Sequence, residues 1–262
     1  MNVIKNVNNN RNIIFSLAKQ NFKNRYLGSQ LGILWAFIQP TIMIGIYWFV
    51  FEVGFKSLPV NDYPFLLWFI AGIIPWFYFS EAVSSATTSI IENTHLVKKI
   101  VFPVFVLPVI SICSSLFVHL FFIIVALCLF LGLGYGADLY YLQIIYYLTF
   151  MLIMVSALAY ITSALMIFLK DTGQIVAMML QFGFWLTPII WTIEMLPQKY
   201  EIFIKLNPMF YIVDGYRDSF INKVWFWEKP YLTFYNFIIL ILLIVIGVWV
   251  FKRLKPHFAD LL

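Results

Sequence analysis

FPVFVLPVISICSSLFVHLFFIIVALCLFLG, residues 102–132, runs for 31 positions without one Asp, Glu, Lys or Arg. A helix of about 20 apolar residues crosses the hydrocarbon layer of a membrane, because it satisfies its own backbone polar groups where no water can. The stretch therefore reads as a membrane-spanning helix with length to spare. Outward from it, long apolar runs recur near 33–51, 64–81, 140–169, 174–193 and 233–251, which makes six spans. The runs at 102–132 and 140–169 exceed what a layer of about 30 Å needs, so these helices tilt or project beyond it. Of 262 residues, 63% are hydrophobic and only 11% charged, against roughly a quarter charged in a soluble domain. A water-soluble globule is excluded. We read residues 1–262 as one all-α integral membrane domain. The Asn-rich, basic beginning shows no short apolar core with a small-residue cleavage site, so the first span is expected to act as the insertion signal. Cys113 and Cys128 stand without metal-ligand spacing and read as small apolar packing residues.

Orientation follows from the basic residues. With both termini cytoplasmic, the inner segments hold Lys5, Arg11, Lys19, Lys23, Arg25, Lys98, Lys99, Lys170, Lys252, Arg253 and Lys255, 11 of the 17 Lys and Arg. Five of the outer six lie in 194–230, where Glu194, Glu201, Asp214, Asp218 and Glu228 balance them. The net charge of +5 is then a topology signal, and no nucleic-acid partner is expected.

Three segments outside the spans carry more information than the rest. In 11–27, RNIIFSLAKQNFKNRYL, the apolar Ile13, Ile14, Leu17, Ala18 and Phe22 recur at helical spacing while Lys19, Gln20, Lys23 and Asn24 fall elsewhere. This is a basic amphipathic helix suited to the headgroup boundary, as a topology anchor or as a contact for anionic lipid. The cytoplasmic stretch 82–101 is too long for a tight turn between antiparallel helices. It reads as a short helix reaching into the cytoplasm, open between a docking site for a soluble partner and a frayed helix end. The outer segment 194–230 is too polar to span. Its Asn207-Pro208 is a helix start, Asn capping and Pro at the first position, and Phe210, Val213, Tyr216 and Phe220 make one face. We expect two short re-entrant helices between spans five and six, acting as a lid or gate on the exit side.

The chain carries no phosphate-cradling G-x-x-x-x-G-K-[ST] pattern, no H-E-x-x-H, no C-x-x-C and no G-x-S-x-G. It is expected to be no enzyme and to hold no metal or cofactor of its own. Among ionisable residues only His119 lies well inside a span; Glu52, Glu81 and Lys170 fall near span ends, where their charges reach the interface. Ion-coupled transporters place ionisable groups at the midplane, so that class loses ground, and His119 is read as an interhelical hydrogen-bonding residue. Aromatics are abundant, with 28 Phe, 15 Tyr and 9 Trp. Their faces suit the C–H faces of sugar rings, and Trp35, Tyr47, Trp48, Trp76 and Trp185 are candidates to line a channel. Lipid contact and packing account for the other aromatics.

At RYLGSQLGILWAFIQP (25–40) the sequence resembles the start of the first span in the type-2 permeases of ABC transporters that export lipid-linked polysaccharides of O-antigen, teichoic acid or capsule type. The matching residues are Arg25, Tyr26, Ser29, Leu31, Gly32, Leu34, Trp35 and Pro40. VKKIVFPVFVLPV (97–109) is similar to that family's coupling-helix exit, through Lys98, Lys99, Phe102, Pro103, Leu107 and Pro108. Pro188, Asn207-Pro208 and Tyr216-Arg217 fall in the order the family shows. The resemblance covers essentially the whole chain, and no one motif is specific alone.

The resemblance implies a homodimer forming one pore in the bacterial plasma (inner) membrane, with two copies of a separate ABC ATPase, which binds ATP and Mg, docked on 86–100 through Thr94, His95, Lys98 and Lys99. It implies an outer gate at Asn207, Pro208, Tyr216 and Arg217. Lys23, Arg25 and Tyr26 sit where the diphosphate of a polyprenyl-linked glycan would be taken up, Arg offering a two-pronged fork; ordinary lipid phosphates are the competing ligand. Pro40 removes a backbone hydrogen bond and favours a kink that widens the cytoplasmic mouth. A type-2 permease for a small lipid or drug is the alternative. A membrane-embedded transferase lacks the paired carboxylates its chemistry needs, Asp171 beside Lys170 being the only candidate.

Overall fold

The computed structural model describes residues 11–56, 62–97 and 103–261, and it is helical nearly throughout them. In chain order the helices are α1 (Arg11–Asn24), α2 (Trp35–Trp48), α3 (Phe65–Glu92), α4 (Thr94–Val97), α5 (Val106–Gly132), α6 (Gln143–Phe168), α7 (Thr172–Leu186), α8 (Gln198–Lys205), α9 (Pro208–Arg217), α10 (Pro230–Leu254) and α11 (Phe258–Leu261). Among the described residues, five stretches are long and apolar enough to cross a membrane: Gly32–Gly54, Phe65–Glu92, Val106–Gly132, Leu139–Phe168 and Pro230–His257.

The fifth expected span, 174–193, is divided. Its helix α7 has 15 residues, about 22 Å at 1.5 Å per residue, and ends before Pro188. A residue preceding proline is driven out of the helical region, and Thr187 is accordingly extended (φ −91°, ψ 130°). Residues 187–190 turn inward and are buried, Thr187 and Ile189 completely.

The axis of the bundle is α3, 78% of whose most apolar window is buried inside the protein, whereas the first span has only 6% buried and lies on the outside. Helix α3 packs on α5, α6 and α9, and α10 on α6. In a membrane the lipid is as apolar as leucine, so helices associate through close approach of small residues and shared hydrogen bonds. A methyl on Gly247 would come within 2.7 Å of the Ala157 carbonyl, and one on Gly215 within 2.1 Å of the Tyr147 ring. The hydroxyls of Thr87 and Thr162 bond across α3 and α6 at 2.8 Å.

That last contact corrects the reading of 82–101 as a polar connection. Helix α3 continues to Glu92, and its small residues Ala82, Ala86, Thr87 and Ser89 are buried. They look polar in the sequence because close packing selects small side chains. Among the described residues of that segment, only α4 forms a separate turn. Lys98, Lys99 and Phe102 lie outside the described residues. Helix α1 follows its expected face: Ile14 and Ala18 are buried, Phe15 and Lys19 exposed, and Phe15 and Phe22 both meet Phe117 of α5 at ring-centroid distances of 5.9 and 5.7 Å.

Candidate functional site

Two regions gather the residues singled out above, one at each end of the bundle. The chain leaves α1 through a short turn, Arg25–Leu27, and enters the first span by a tight turn at Gly32–Leu34. Gly28 and Gly32 take positive φ (92° and 51°) there, a conformation glycine alone adopts freely. The turn swings Arg25 against α3 and α5. Its guanidinium donates to Glu81 Oε1 at 2.5 Å and approaches the Ser115 hydroxyl at 3.4 Å. Glu81, read from sequence as a charge reaching the interface, is exposed and is also the partner of the basic residue that follows the interfacial helix.

Below this ion pair opens a cavity of about 300 Å³, whose polar wall includes Tyr26, Gln39, Glu81, Ser115 and His119, with Trp35 at its edge. Pro40 lines it too, and the carbonyl that proline leaves without a donor is that of Ala36, four residues earlier and also in the wall. Burial, reinforced by the negative charge of Glu81, raises the Tyr26 phenol above its ordinary value, so Tyr26 enters the cavity as a hydroxyl donor. At the far end, His119 Nε2 and the Tyr216 hydroxyl share a hydrogen bond of 2.9 Å, and the His119 ring lies 4.8 Å from that of Tyr78. Of the three residues expected at the mouth, Arg25 and Tyr26 converge on it and Lys23 stays exposed on α1.

Of the two described coupling candidates, Thr94 donates back to the Ile91 carbonyl at 2.6 Å, and His95 stands beside the same interfacial helix. His95 is exposed, and with Asn93, Gln20, Asn21 and Asn24 it lines a second polar cavity of about 260 Å³ between α1, α4 and α5. The tip of the α3–α4 turn is thereby one helix away from Arg25.

The expected channel aromatics divide. Trp35 lines the mouth, and Trp48 lines an adjoining apolar cavity. Trp185 is 57% exposed on α7. Tyr47 is half-buried against Phe69 and Phe184. Trp76 is buried within the chain, between Phe79 and Phe184, and a methyl on Gly183 would meet its ring at 2.9 Å.

At the opposite end of the bundle, Asn207 caps α9 by accepting from the Met209 N–H at 3.0 Å, with Pro208 in the first turn. Its amide nitrogen donates to the Thr187 hydroxyl at 2.9 Å. Arg217, at the other end of α9, donates to the carbonyls of Pro188 and Ile189 at 2.6 and 2.8 Å and lies 3.5 Å over the Trp68 ring. Helix α9 is thus tied at both ends to the turn that proline creates after α7. Tyr216 and Arg217, expected as parts of a movable lid, are 0% and 6% exposed. They form an anchor, and any opening there carries α9 and residues 187–190 together. Beyond the anchor, Lys229 bridges Asp214 and Asp218 at 2.7 and 2.5 Å, and Lys223 pairs with Asp138 at 2.9 Å. Burial, then the like charge of Asp214, pushes Asp218 up to about 6. Lys223 holds Asp138 below the usual carboxylate range. Trp68, Thr187 and Glu81 are the site residues that spacing did not single out. Trp68 appears in the sequence only as one more aromatic, and nothing local announces its partner 149 residues away.

No group of His, Cys, Asp and Glu among the described residues is arranged to hold a metal ion. The sequence model of the ABC-2 type transporter family matches residues 13–221. The chain is similar to two proteins of Klebsiella pneumoniae, each named O-antigen export system permease protein RfbA. One is 28% identical over 259 residues and the other 27% over 251, each comparison covering 95% of both chains. The protein of the same name from Myxococcus xanthus is 30% identical over 218 residues, covering 80% of each chain.

Proposed function

The chain belongs to the ABC-2 type transporter family, and on that premise we propose that it is the channel-forming subunit of an ATP-driven exporter. Its cargo is a polysaccharide carried on a polyprenyl diphosphate, of O-antigen, teichoic acid or capsule type, moved out of the cytoplasm across the inner membrane. Two copies enclose the pore, and two copies of a separate ATPase, which binds the ATP and Mg, dock beneath them. The observation that supports this reading is the mouth itself. The Tyr26 phenol, the Glu81 carboxylate that holds the Arg25 guanidinium, and the side chains of Gln39, Ser115 and His119 stand around a cavity at the α1 end of the first span, which is itself only 6% buried. A lipid-borne diphosphate presents the charge that Arg25 recognises, while its chain stays in the membrane.

Coupling is read from the polar cavity whose walls α4 and α1 share. ATP-driven movement of the 86–100 segment is passed through the Asn93–His95 turn to the interfacial helix, and so to Arg25 at the mouth. A nucleotide state shifts the channel only by its differential affinity for open and closed forms. The relatives' printed names support a polysaccharide cargo over a small lipid or drug.

The test is isolation of the tagged chain from its own membranes in mild detergent. Recovery with one ATPase at one to one supports the proposal. Recovery alone, with transport in vesicles that needs no ATP, overturns it.

A further inference from the structure

Beside the mouth, on the same flank of the first span, lies an almost wholly apolar furrow of about 330 Å³ between α2, α3 and α5. Ile44, Trp48, Ile70, Phe122 and Leu129 are among its walls, and Ile74 and Phe122 line both the furrow and the polar cavity, so the two adjoin. On α2 the combined groove runs from Trp35 to Trp48, about 20 Å of helix. The polar part lies at the end of the span nearest α1 and the apolar part deeper in the membrane, the arrangement of a lipid's own headgroup and chain. Gly45 stands in the furrow wall, and a methyl built on it meets nothing within 4 Å.

We propose that this furrow holds the isoprenoid chain of the lipid diphosphate whose headgroup is received at Arg25. The proposal rests on the reading of the cargo as diphosphate-linked. Its place next to the mouth that Arg25 closes through Glu81 commits the furrow to the chain of that ligand rather than to a free lipid tail. Its walls of branched aliphatic side chains and two rings offer an uneven surface that fits a methyl-branched chain. Because the surrounding bilayer is itself hydrocarbon, the furrow contributes packing and orientation, with no hydrophobic transfer to add. It fixes the depth and direction of the cargo before the pore opens.

The experiment uses the full chain with its ATPase in nanodiscs and a benzophenone-tagged farnesyl diphosphate as probe. Cross-links are mapped and binding is titrated in wild type, Gly45→Trp and Arg25→Gln. Labelling is expected at 41–48, 66–74 and 122–129. Gly45→Trp, which fills the furrow, should weaken binding about fivefold, a packing effect rather than a transfer effect. If Arg25→Gln weakens binding but Gly45→Trp does not and labels fall elsewhere, the furrow proposal is wrong and the headgroup reading stands. If neither substitution changes binding, both are wrong. Equal labelling by a benzophenone phospholipid that unlabelled farnesyl diphosphate does not displace makes the furrow an ordinary lipid site and also overturns the proposal.

Discussion

The Arg217 anchor offers a quantitative test through its contact with Gly72. The guanidinium makes two charged hydrogen bonds to buried carbonyls and stacks on Trp68. Charged hydrogen bonds contribute about 1.5–3 kcal/mol each and a desolvated cation–π contact about 2, offset by the cost of burying the charge. Arg217→Met removes all of these and leaves the carbonyls of Pro188 and Ile189 unpaired, a net loss of about 3 kcal/mol. Gly72→Ala acts on the same contact from the other side. Its methyl would stand 2.7 Å from Nη2, so the guanidinium must move off its acceptors, at about 1–3 kcal/mol. In the Arg217→Met background that guanidinium is gone and the alanine costs little, so the two changes should couple by about 2 kcal/mol. The assay is unfolding of the purified protein in mixed micelles of rising sodium dodecyl sulfate fraction, followed by circular dichroism. Additivity within about 0.5 kcal/mol, or wild-type stability of Arg217→Met, refutes the anchor.

Other expectations concern coupling, capping and pH. Replacing Lys98 and Lys99 together with Glu should stop export while leaving membrane insertion intact, read by surface glycan against membrane-fraction abundance; normal export would remove these lysines from the coupling role. Asn207→Ala loses the α9 cap and the tie to Thr187 and should cost about 1–2 kcal/mol in the micelle assay. Tyr216→Phe should cost about 1 kcal/mol, and an unchanged midpoint would show that the His119 contact contributes nothing. Asp218 is held near 6 in the folded protein against an ordinary 3.8. Its contribution to stability is therefore complete below about pH 3.8 and is lost as pH rises through about 6. Between pH 4 and 7 the wild-type thermal midpoint should fall relative to that of Asp218→Asn; parallel curves would contradict the burial of a charged Asp218.

The amphipathic face of α1, the long runs at 102–132 and 140–169, and the Asn207-Pro208 cap were legible because each depends on near neighbours in sequence. Apolar length, helical spacing and a proline at a helix start are local facts. The end of α7 was legible in principle from Pro188, but the apolar run through 193 masked it, since hydropathy does not distinguish a helix from a buried turn. The extension of α3 to Glu92 was hidden for the opposite reason. Ser and Thr count as polar in a run but serve as small packing residues once α6 lies against them.

For the site, residue types and order placed Arg25, Tyr26, Tyr216 and Arg217 among the candidates, and the tertiary structure assigned what they touch. The pairing of Arg25 with Glu81 spans 56 positions and that of His119 with Tyr216 spans 97. No local pattern encodes such partners, because they follow from helix rotation and crossing, which close contacts at glycines such as Gly72, Gly215 and Gly247 set. By itself the sequence determined that the chain lives in the membrane and where its long apolar segments lie, since these are set by transfer of individual residues between water and lipid. Which aromatic is packing and which lines a cavity, and that the hairpin around α9 is an anchor, were decided only when the helices packed. That choice depends on steric fit between distant segments, which composition and spacing do not carry.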